Sequence, residues 1–369
     1  MADSVILRGQ AIHDKQGDSS SLLQVGAFQT ALMDLIQSPS GRYMEQNWED
    51  YLRRSTDSVV GEVEDANNNT QLPLDRLSVG SGLLYQYDQT GSDTYKDTLE
   101  ALRTSIDLQP RNRIGGLWYY VYPNWSYLDG MFSLLSFYPM YTSHFAIGNT
   151  TKVNNDLFHQ MDLLWAHCYD NSTALLFHGY DATKTASWAD PTTGASPFVW
   201  GRALGWFMMG LVDFLELGLL DSRVEIWRAR FIDLADAIVQ SVDLSSGCWW
   251  QVLSAPGRRD NYIESSASAM FTYTLYKGVR LGLLEETDHH ANYTRVADRA
   301  YRSLVERFVV ENRDGTLSYN GTVSVCSLNS TASYEYYVTQ PLLYDSVLGS
   351  AAFVRASVEH ELQRESLYA

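Results

Sequence analysis

The sequence has few cysteines and few positive charges, and these shortages exclude several classes of protein. Three cysteines in 369 residues, Cys168, Cys248 and Cys326, are too few and too scattered for a disulfide framework or a zinc site with paired cysteines, so at most one disulfide can form. Lys and Arg number 27 against 44 Asp and Glu, which gives a formal net charge of −17. That excess of acid repels nucleic acid phosphates and anionic membrane surfaces, so we expect neither as a partner.

Long hydrophobic runs and nucleotide-binding motifs are also missing. No apolar run reaches about 18 residues, although 45% of the residues are hydrophobic, so the composition predicts a soluble globular protein with no membrane span. The sequence contains no G-x-S-x-G, no G-x-G-x-x-G in a Rossmann pattern, no Walker A loop and no H-E-x-x-H. We therefore expect no nucleotide cofactor and no metal site.

Glycosylation sequons are frequent for a chain of this length. There are seven of the form N-x-S/T, at Asn68, Asn124, Asn149, Asn171, Asn292, Asn320 and Asn329. Such sites are typical of secreted, glycosylated eukaryotic proteins. The start, MADSVILRGQ, lacks a basic segment followed by an apolar one, so the chain is either intracellular or a mature form whose signal peptide was removed. We favour secretion.

Helical periodicity dominates the sequence. Apolar residues recur at i, i+3 and i+4 and predict helices at 21–37, 43–59, 78–88, 93–106, 127–142, 151–168, 197–218, 223–240, 262–282, 289–309 and 345–361. Strand patterns are confined to short pieces at 248–253 and 316–326, where Asn320-Gly321 predicts a hairpin turn. The fold class is therefore all-α.

The predicted helices form pairs that repeat about every 50 to 65 residues, which is the pattern of stacked helical hairpins. One helix of each pair is rich in small and apolar residues, while its partner is amphipathic with a charged face. This difference predicts an inner and an outer layer. We expect an (α/α)6 barrel, a toroid of six helical hairpins with a few short β-hairpins in its loops, as a single catalytic domain over residues 1–369.

Asp129 is a single carboxylate in an aromatic segment, YYVYPNWSYLDGMFSLL over 119–135, where Tyr119 and Trp125 precede it. One interpretation is a helix start, because Ser126-x-x-Asp129 before an apolar run fits a capping box. The other is catalytic, since a carboxylate among aromatic rings loses hydration and this loss favours the protonated acid. The residues alone leave both interpretations open.

Arg202 and two other polar side chains stand near the predicted starts of inner helices. Arg202 lies between Trp200 and Trp206 in an apolar segment, so it needs either a buried acid or an anionic ligand. Asp75 is either an N-cap or part of a site. His178 is either an ordinary core histidine or a binding residue, and the tryptophans are either core residues or platforms for sugar rings. A carboxylate and a cation in an aromatic cleft indicate an acid/base enzyme acting on a carbohydrate that carries a carboxylate.

Four segments, in order, resemble glycoside hydrolase family 105, the unsaturated rhamnogalacturonyl hydrolases, and more distantly the family 88 unsaturated glucuronyl hydrolases. They are YP…YLDGMF, HGYD…WADPTTGASPFVWGRALGWFMMGLVDFLE, CWWQVL…NYIESSASAMFTYTLYKGVRLG and SYEYY…SVLGSAAFVRASVE, and the resemblance extends from about residue 70 to the C-terminus. It implies an (α/α)6 barrel without a cofactor. Its substrate would be the 4,5-unsaturated uronic acid that a polysaccharide lyase leaves at the non-reducing end of an oligosaccharide.

The resemblance also implies the roles of individual residues. Asp129 matches the acid that protonates C4 of the vinyl ether, after which water adds at C5 and the ring opens. Asp75 matches a second acid that contacts the sugar and helps to orient water. Substrate-binding positions of the family are matched by four residues, namely His178, Trp200, Arg202 and Trp206, and the planar fork of the arginine suits a uronate carboxylate.

Tyr119 and Trp125 depart from the family pattern. They stand where family members often have His and Gln, at positions that border the leaving sugar, so the preference for galacturonyl or glucuronyl substrates and the identity of the leaving sugar stay open. Two other functions also remain open. One is an ordinary glycosidase or a polysaccharide lyase on the same fold, and the other is a uronate-binding protein without catalysis. The sequence does not indicate an oligomeric state.

Overall fold

The computed structural model describes residues 1–14, 19–39, 41, 47–285 and 292–366. A 3₁₀ helix at Leu74–Val79 leads directly into α5. The α-helices of the described residues are α1 (Ala2–Leu7), α2 (Ser21–Gln37), α3 (Asn47–Val63), α4 (Ala66–Asn69), α5 (Gly80–Thr90), α6 (Asp93–Leu108), α7 (Gly130–Phe145), α8 (Thr150–Cys168), α9 (Gly201–Glu216), α10 (Arg223–Gln240), α11 (Ser265–Arg280), α12 (Tyr293–Phe308), α13 (Tyr334–Thr339) and α14 (Val347–Ser366).

Six of these helices form a closed inner ring. Helix α2 contacts the 3₁₀ helix before α5, which contacts α7, and the ring continues through α9, α11 and α14 back to α2. Helices α3, α6, α8, α10 and α12 each pack outside the inner helix that precedes them, and the short α1 packs against α14 in the sixth outer position. The predicted all-α barrel of six helical hairpins is therefore confirmed.

The two layers differ in how much of each helix is buried. Helix α11 is buried continuously from Ser265 to Gly278, whereas outer helix α12 buries a stripe that includes Ala297, Ala300 and Leu304. Glycines let the inner helices approach closely. A Cβ at Gly210 of α9 would lie 2.8 Å from the carbonyl oxygen of Met131 in α7, so a larger residue would force the two helices apart.

The strands are short and pair only in twos. All four pairs are antiparallel: β1 (Trp125–Tyr127) with β4 (Gly179–Asp181), β2 (Tyr169–Asp170) with β3 (Leu175–Leu176), β5 (Val309–Glu311) with β6 (Leu317–Tyr319), and β7 (Thr322–Val323) with β8 (Leu342–Leu343). The predicted hairpin at Asn320-Gly321 is wrong, because the strands on its two sides pair with other strands. The turn instead packs on α11, where the backbone N–H of Ser265 donates to the carbonyl of Gly321.

Helix boundaries differ from prediction in a few places. The start expected at Ser196-Pro197 is wrong, since α9 begins at Gly201 with Trp200 as its N-cap. The hydroxyl of Ser196 instead accepts from the backbone N–H of Gly179, and residues 197 and 198 form a bend before the helix. Three short helices, α1, α4 and α13, were not predicted. The predicted helix starts at 43 and 289 lie outside the described residues.

Two expectations from composition concern the cysteines and the membrane. Cys168, Cys248 and Cys326 are free and buried, and burial raises the pKa of each thiol, so they stay protonated in the fold. The disulfide that the count allowed is not formed. Among the described residues, no helix is both long and apolar enough to cross a membrane.

A buried charge network joins four inner helices through Asp213 of α9. The amine of Lys277 lies 2.6 Å from Asp213 Oδ1, and a guanidinium nitrogen of Arg355 lies 3.1 Å from Oδ2. Arg355 also approaches Asp34 of α2 at 2.6 Å, and the Tyr273 hydroxyl donates to Asp213. Burial alone would raise the pKa of Asp213, but the charges of Arg355 and Lys277 outweigh it and lower this pKa to about 2.

Candidate active site

The predicted site residues lie where the inner helices begin. Asp75 is in the first turn of the 3₁₀ helix before α5, Asp129 directly precedes α7, and Arg202 is the second residue of α9. In a ring of hairpins the inner helices run in one direction, so their N-terminal ends meet at one mouth of the barrel. The site is therefore built on the ends of rigid helices and on the loops that enter them.

Asp129 occupies the N-cap position of α7, but its side chain makes no capping hydrogen bond. Only 6% of the residue is exposed. The capping-box interpretation is wrong, because the hydroxyl of Ser126 donates at 2.7 Å to the carbonyl of Leu117. A buried carboxylate that does not cap its own helix needs another reason to be there.

His178 is the nearest polar neighbour of Asp129. Its Nε2 lies 3.1 Å from Asp129 Oδ2, and its Nδ1 lies 2.8 Å from the hydroxyl of Tyr337. The pair is within ion-pair distance but is not aligned as a hydrogen bond, so neither atom has a hydrogen-bond partner among the described residues. Two fully buried polar atoms that face each other without an aligned hydrogen bond are unusual in a folded protein.

Asp75 is tied to Tyr119, whose hydroxyl donates to Asp75 Oδ2 at 2.5 Å. The ring of Tyr119 stacks on Tyr127 at 4.3 Å, and Tyr127 in turn packs edge-on against His178 at 5.2 Å. Burial raises the pKa of Asp75 to about 7, since the opposing effect of the Tyr119 hydrogen bond is smaller and the charge of Asp129 adds to the rise. Asp75 can therefore bind or release a proton near neutral pH.

This raised pKa makes the stability of the protein depend on Asp75 in a direction that can be measured. An unfolded Asp has a pKa of about 3.9, so between that value and about 7 the folded protein binds more protons, and stability falls as pH rises. Asp75→Asn removes this effect and keeps an oxygen to accept from Tyr119. We expect the variant to raise the Tm by several degrees at pH 8 and by much less at pH 4. An equal change at both pH values in calorimetry would contradict the prediction.

Arg202 is buried but is not paired with an acid. Its two terminal nitrogens donate to the backbone carbonyls of Val323 and Ser324, the second at 2.7 Å, and none of the ion pairs among the described residues includes it. Its guanidinium carbon lies 4.8 Å from the centroid of the Trp200 ring. Of the two partners expected from the sequence, a buried acid is not found among the described residues, and backbone carbonyls accept from the guanidinium in its place.

The tryptophans occupy different parts of the site. Trp200 lies within it, with its ring 4.8 Å from His178. Trp206, one turn beyond Arg202 in α9, is buried against Phe132 at 4.6 Å and forms part of the inner wall. Trp125 is half-buried at the start of β1 and packs against Trp188.

The structure thus brings Asp75, Tyr119, Asp129, His178, Trp200 and Arg202 into one connected set of contacts, with Trp206 and Trp125 at its borders.

Sequence reasoning missed Tyr127, Tyr337 and Glu264. Glu264 is fully buried and N-caps α11, and its Oε1 accepts from the backbone N–H of Val323, the residue whose carbonyl receives Arg202. Glu264 and Arg202 therefore hold the same loop from two helices. The quoted segments NYIESSAS and SYEYY contain Glu264 and Tyr337, but nothing local in them indicates these contacts. Within the described residues, no three His, Cys, Asp or Glu side chains meet as a metal site would require.

Comparisons with known proteins agree on one family. The model of Glycosyl Hydrolase Family 88 matches residues 39–363. A glycoside hydrolase of family 105 from C. acetobutylicum ATCC 824 is 29% identical, with a TM-score of 0.87 and 98% of each chain covered. The unsaturated glucuronyl hydrolase of Bacillus sp. GL1 shares the fold at 12% identity, with a TM-score of 0.67 and coverage of 93% of this chain and 86% of that one.

A curated relative gives a partial sequence match. The 24.9 kDa protein in the picA locus of Rhizobium radiobacter is 35% identical over 191 residues, which are 50% of this chain and 81% of that protein. The resemblance found in the sequence is confirmed by the family model and by the family 105 structure. The chain belongs to Glycosyl Hydrolase Family 88, shares the fold of the related family 105 enzymes, and is a glycoside hydrolase.

Proposed function

We propose that this hydrolase releases the 4,5-unsaturated uronic acid from the non-reducing end of lyase-generated oligosaccharides, as an unsaturated rhamnogalacturonyl hydrolase of pectin degradation. One observation carries the proposal: the buried Asp129 carboxylate does not cap its helix and faces His178 with Oδ2 unpaired. The name of the Bacillus relative, an unsaturated glucuronyl hydrolase, supports the substrate class.

In the proposed reaction Asp129 is the general acid. The electron-rich C4 of the vinyl ether takes the proton from Asp129, and positive charge develops at C5 and the ring oxygen. A buried acid suits this step, because the surrounding rings exclude water that would compete as the proton acceptor. No bond at C1 breaks in this step, so the spacing rule for the two carboxylates of ordinary glycosidases does not apply.

Water then adds to C5, and an adjacent carboxylate receives its proton. Asp75 is suited to orient this water, since one of its oxygens is held by Tyr119 and the other has no hydrogen-bond partner among the described residues. Asp129, now ionised, is the base. The hemiketal at C5 opens the ring, and the hemiacetal left at C1 collapses to an aldehyde and releases the neighbouring sugar.

Arg202 is proposed to bind the uronate carboxylate. A guanidinium has five N–H groups, and the two carbonyls of the 323–324 loop occupy only part of them, so donors remain for an anion. His178 and the apolar faces of Trp200 and Trp206 are proposed to hold the sugar ring. Tyr119 and Trp125 are proposed to border the leaving sugar.

We also propose that the enzyme is secreted and glycosylated. Six of the seven sequon asparagines are exposed, and Asn124 is half-buried. Exposed asparagines are accessible to the glycosylation machinery, which supports the proposal.

The test of the proposed function uses the ultraviolet absorption of the enol ether. Incubation with an unsaturated rhamnogalacturonan disaccharide from a lyase digest is expected to bleach that absorption, while the saturated disaccharide stays intact. The same reaction in heavy water is expected to place deuterium at C4 of the product, because Asp129 exchanges its proton with solvent. Cleavage of the saturated sugar, or deuterium only at other carbons, would overturn the proposal.

A further inference from the structure

We propose that Tyr337 is a positioning residue, which sets the tautomer and ring orientation of His178 and thereby fixes which oxygen of Asp129 delivers the proton. Its effect on catalysis rests on the proposed function, whereas its effect on His178 does not. The inference starts from a continuous set of contacts, Tyr337 hydroxyl to His178 Nδ1 at 2.8 Å and His178 Nε2 to Asp129 Oδ2 at 3.1 Å.

Tyr337 is held rigidly enough to act as a reference for the imidazole. Tyr337 and His178 are both fully buried. The Tyr337 ring packs against Trp200 and Tyr336, with centroid distances of 6.1 and 5.4 Å, and its backbone carbonyl accepts from the side chain of Gln251 at 3.1 Å. A buried hydroxyl away from water has to use the partner that is present, and that partner is His178 Nδ1.

The tautomer follows from what each neighbour can donate. Asp129 Oδ2 is an acceptor both in the carboxylate and in the acid protonated on Oδ1, so the imidazole nitrogen 3.1 Å away, Nε2, has to carry the proton. Nδ1 is then a lone pair that needs a donor, and the phenol of Tyr337 supplies one. Burial raises the pKa of Tyr337 well above its ordinary value, so the phenol keeps its proton. With the proton on Nδ1 instead, the lone pair of Nε2 would face a lone pair of Asp129 Oδ2, and the two would repel each other.

The orientation of the ring also depends on Tyr337. The Nε2–Oδ2 contact is close but not aligned, so it does not by itself stop the imidazole from turning about its Cβ–Cγ bond. The rings of Tyr127 and Trp200 pack against the imidazole and limit that rotation, and the hydrogen bond from Tyr337 to Nδ1 fixes it. Loss of the phenol oxygen would let His178 adopt either tautomer and would let its ring turn about the Cβ–Cγ bond.

The consequence for Asp129 is an asymmetry between its two oxygens. Oδ2 is fully buried and faces the Nε2–H of His178, so a proton on Oδ2 would clash with it. The side chain keeps 8% exposure, which lies away from Oδ2. The deliverable proton therefore belongs on Oδ1. After delivery, the Nε2–H stabilises the new negative charge on the carboxylate, as a preorganised donor does in a water-poor site.

The first experiment measures the tautomer without any substrate. The protein has eight histidines, so ¹⁵N-histidine labelling with His178→Asn as the assignment control identifies the His178 signals. We expect protonated Nε2 and unprotonated Nδ1 in the wild-type protein, and a mixture of tautomers in Tyr337→Phe. A wild-type His178 protonated on Nδ1 would overturn the proposal even if the variant did not fold.

The second experiment measures turnover and coupling. Tyr337→Phe keeps the ring, so we expect kcat to fall about ten- to a hundredfold while KM changes less than about twofold. In a His178→Asn background the same substitution should cause no further loss. The matched control is Tyr334→Phe, which removes a part-buried hydroxyl that donates to the backbone carbonyls of Arg258 and Arg259. An equal fall of kcat in both backgrounds would show a merely structural role.

Inactivity of the wild-type protein on unsaturated uronates would refute the proposed function and leave the tautomer result standing.

Discussion

Asp129→Asn is expected to lower kcat for unsaturated uronyl oligosaccharides by about 10³-fold, because a positioned general acid contributes about 10²- to 10⁴-fold and an amide cannot deliver the proton. The fold should persist. The Asp129 side chain makes no capping bond and its replacement is isosteric, so the variant loses no hydrogen bond at the start of α7. The measurement is the rate at which the enol-ether absorption bleaches, together with KM, which should change little.

The control for this variant is Asp162→Asn. Asp162 is exposed and its ion pair with Arg230 lies at the surface, so its loss should leave kcat within about twofold of the wild-type value. Asp129→Asn with near-normal kcat would show that another group supplies the proton. Asp75, whose pKa is raised to about 7, would then be the first candidate to test.

Asp213→Asn is expected to reduce the free energy of unfolding by about 3–5 kcal/mol, the usual effect of removing one partner from a buried ion pair. The variant removes the carboxylate that Lys277 and Arg355 share at the junction of α9, α11 and α14. It leaves these buried cations only the more exposed Glu216, 2.7 Å from Lys277, and Asp34, 2.6 Å from Arg355. Urea titration monitored by tryptophan fluorescence measures the change as a lower midpoint. The matched control is Asp50→Asn, since Asp50 forms an exposed ion pair with Arg53. We expect this variant to change the free energy of unfolding by less than about 0.5 kcal/mol.

The stabilisation by Asp213 should also depend on pH with a definite sign. Its folded pKa of about 2 lies below the unfolded value of about 3.9, so the contribution is complete above about pH 4 and is lost as pH falls toward 2. The difference in unfolding free energy between wild type and Asp213→Asn should therefore shrink over that range. A difference that stays constant down to pH 2 would indicate that the network acts through shape and not through charge.

The ring of helices could be predicted because its two layers leave different patterns in the sequence. Outer helices such as α12 bury one stripe, which periodicity detects directly, and inner helices such as α11 are apolar or small nearly throughout. Helices α1 and α13, of six residues each, are too short to complete a second period, so the same method could not find them. The failed hairpin at Asn320-Gly321 has a different cause, since a turn signal does not specify which strands pair.

Candidate site residues with a distinctive local sequence could be predicted. Contacts between residues that lie far apart in the chain could not. Asp129 and Asp75 could be proposed because each is a lone carboxylate beside apolar or aromatic residues, and the family resemblance supplied their roles. The contact between His178 and Tyr337 spans 159 positions, so no local pattern contains it. Arg202 was expected to face either a buried acid or an anionic ligand. Its partners in the structure are backbone carbonyls, which every residue type carries and which therefore leave no signal in a sequence.

Helix α14 fills the place between α11 and α2, and this position has a consequence for how the chain reaches its native state. The contact of Arg355 with Asp34 joins residues 321 positions apart, so one of the longest loops in the molecule must close before the ring is complete. Until α14 has been synthesised, the facing walls of α2 and α11 lack a neighbour and expose apolar surface to solvent. We therefore expect the ribosome-bound chain to be prone to aggregation until α14 has emerged, and chaperones can bind the exposed apolar surface until then.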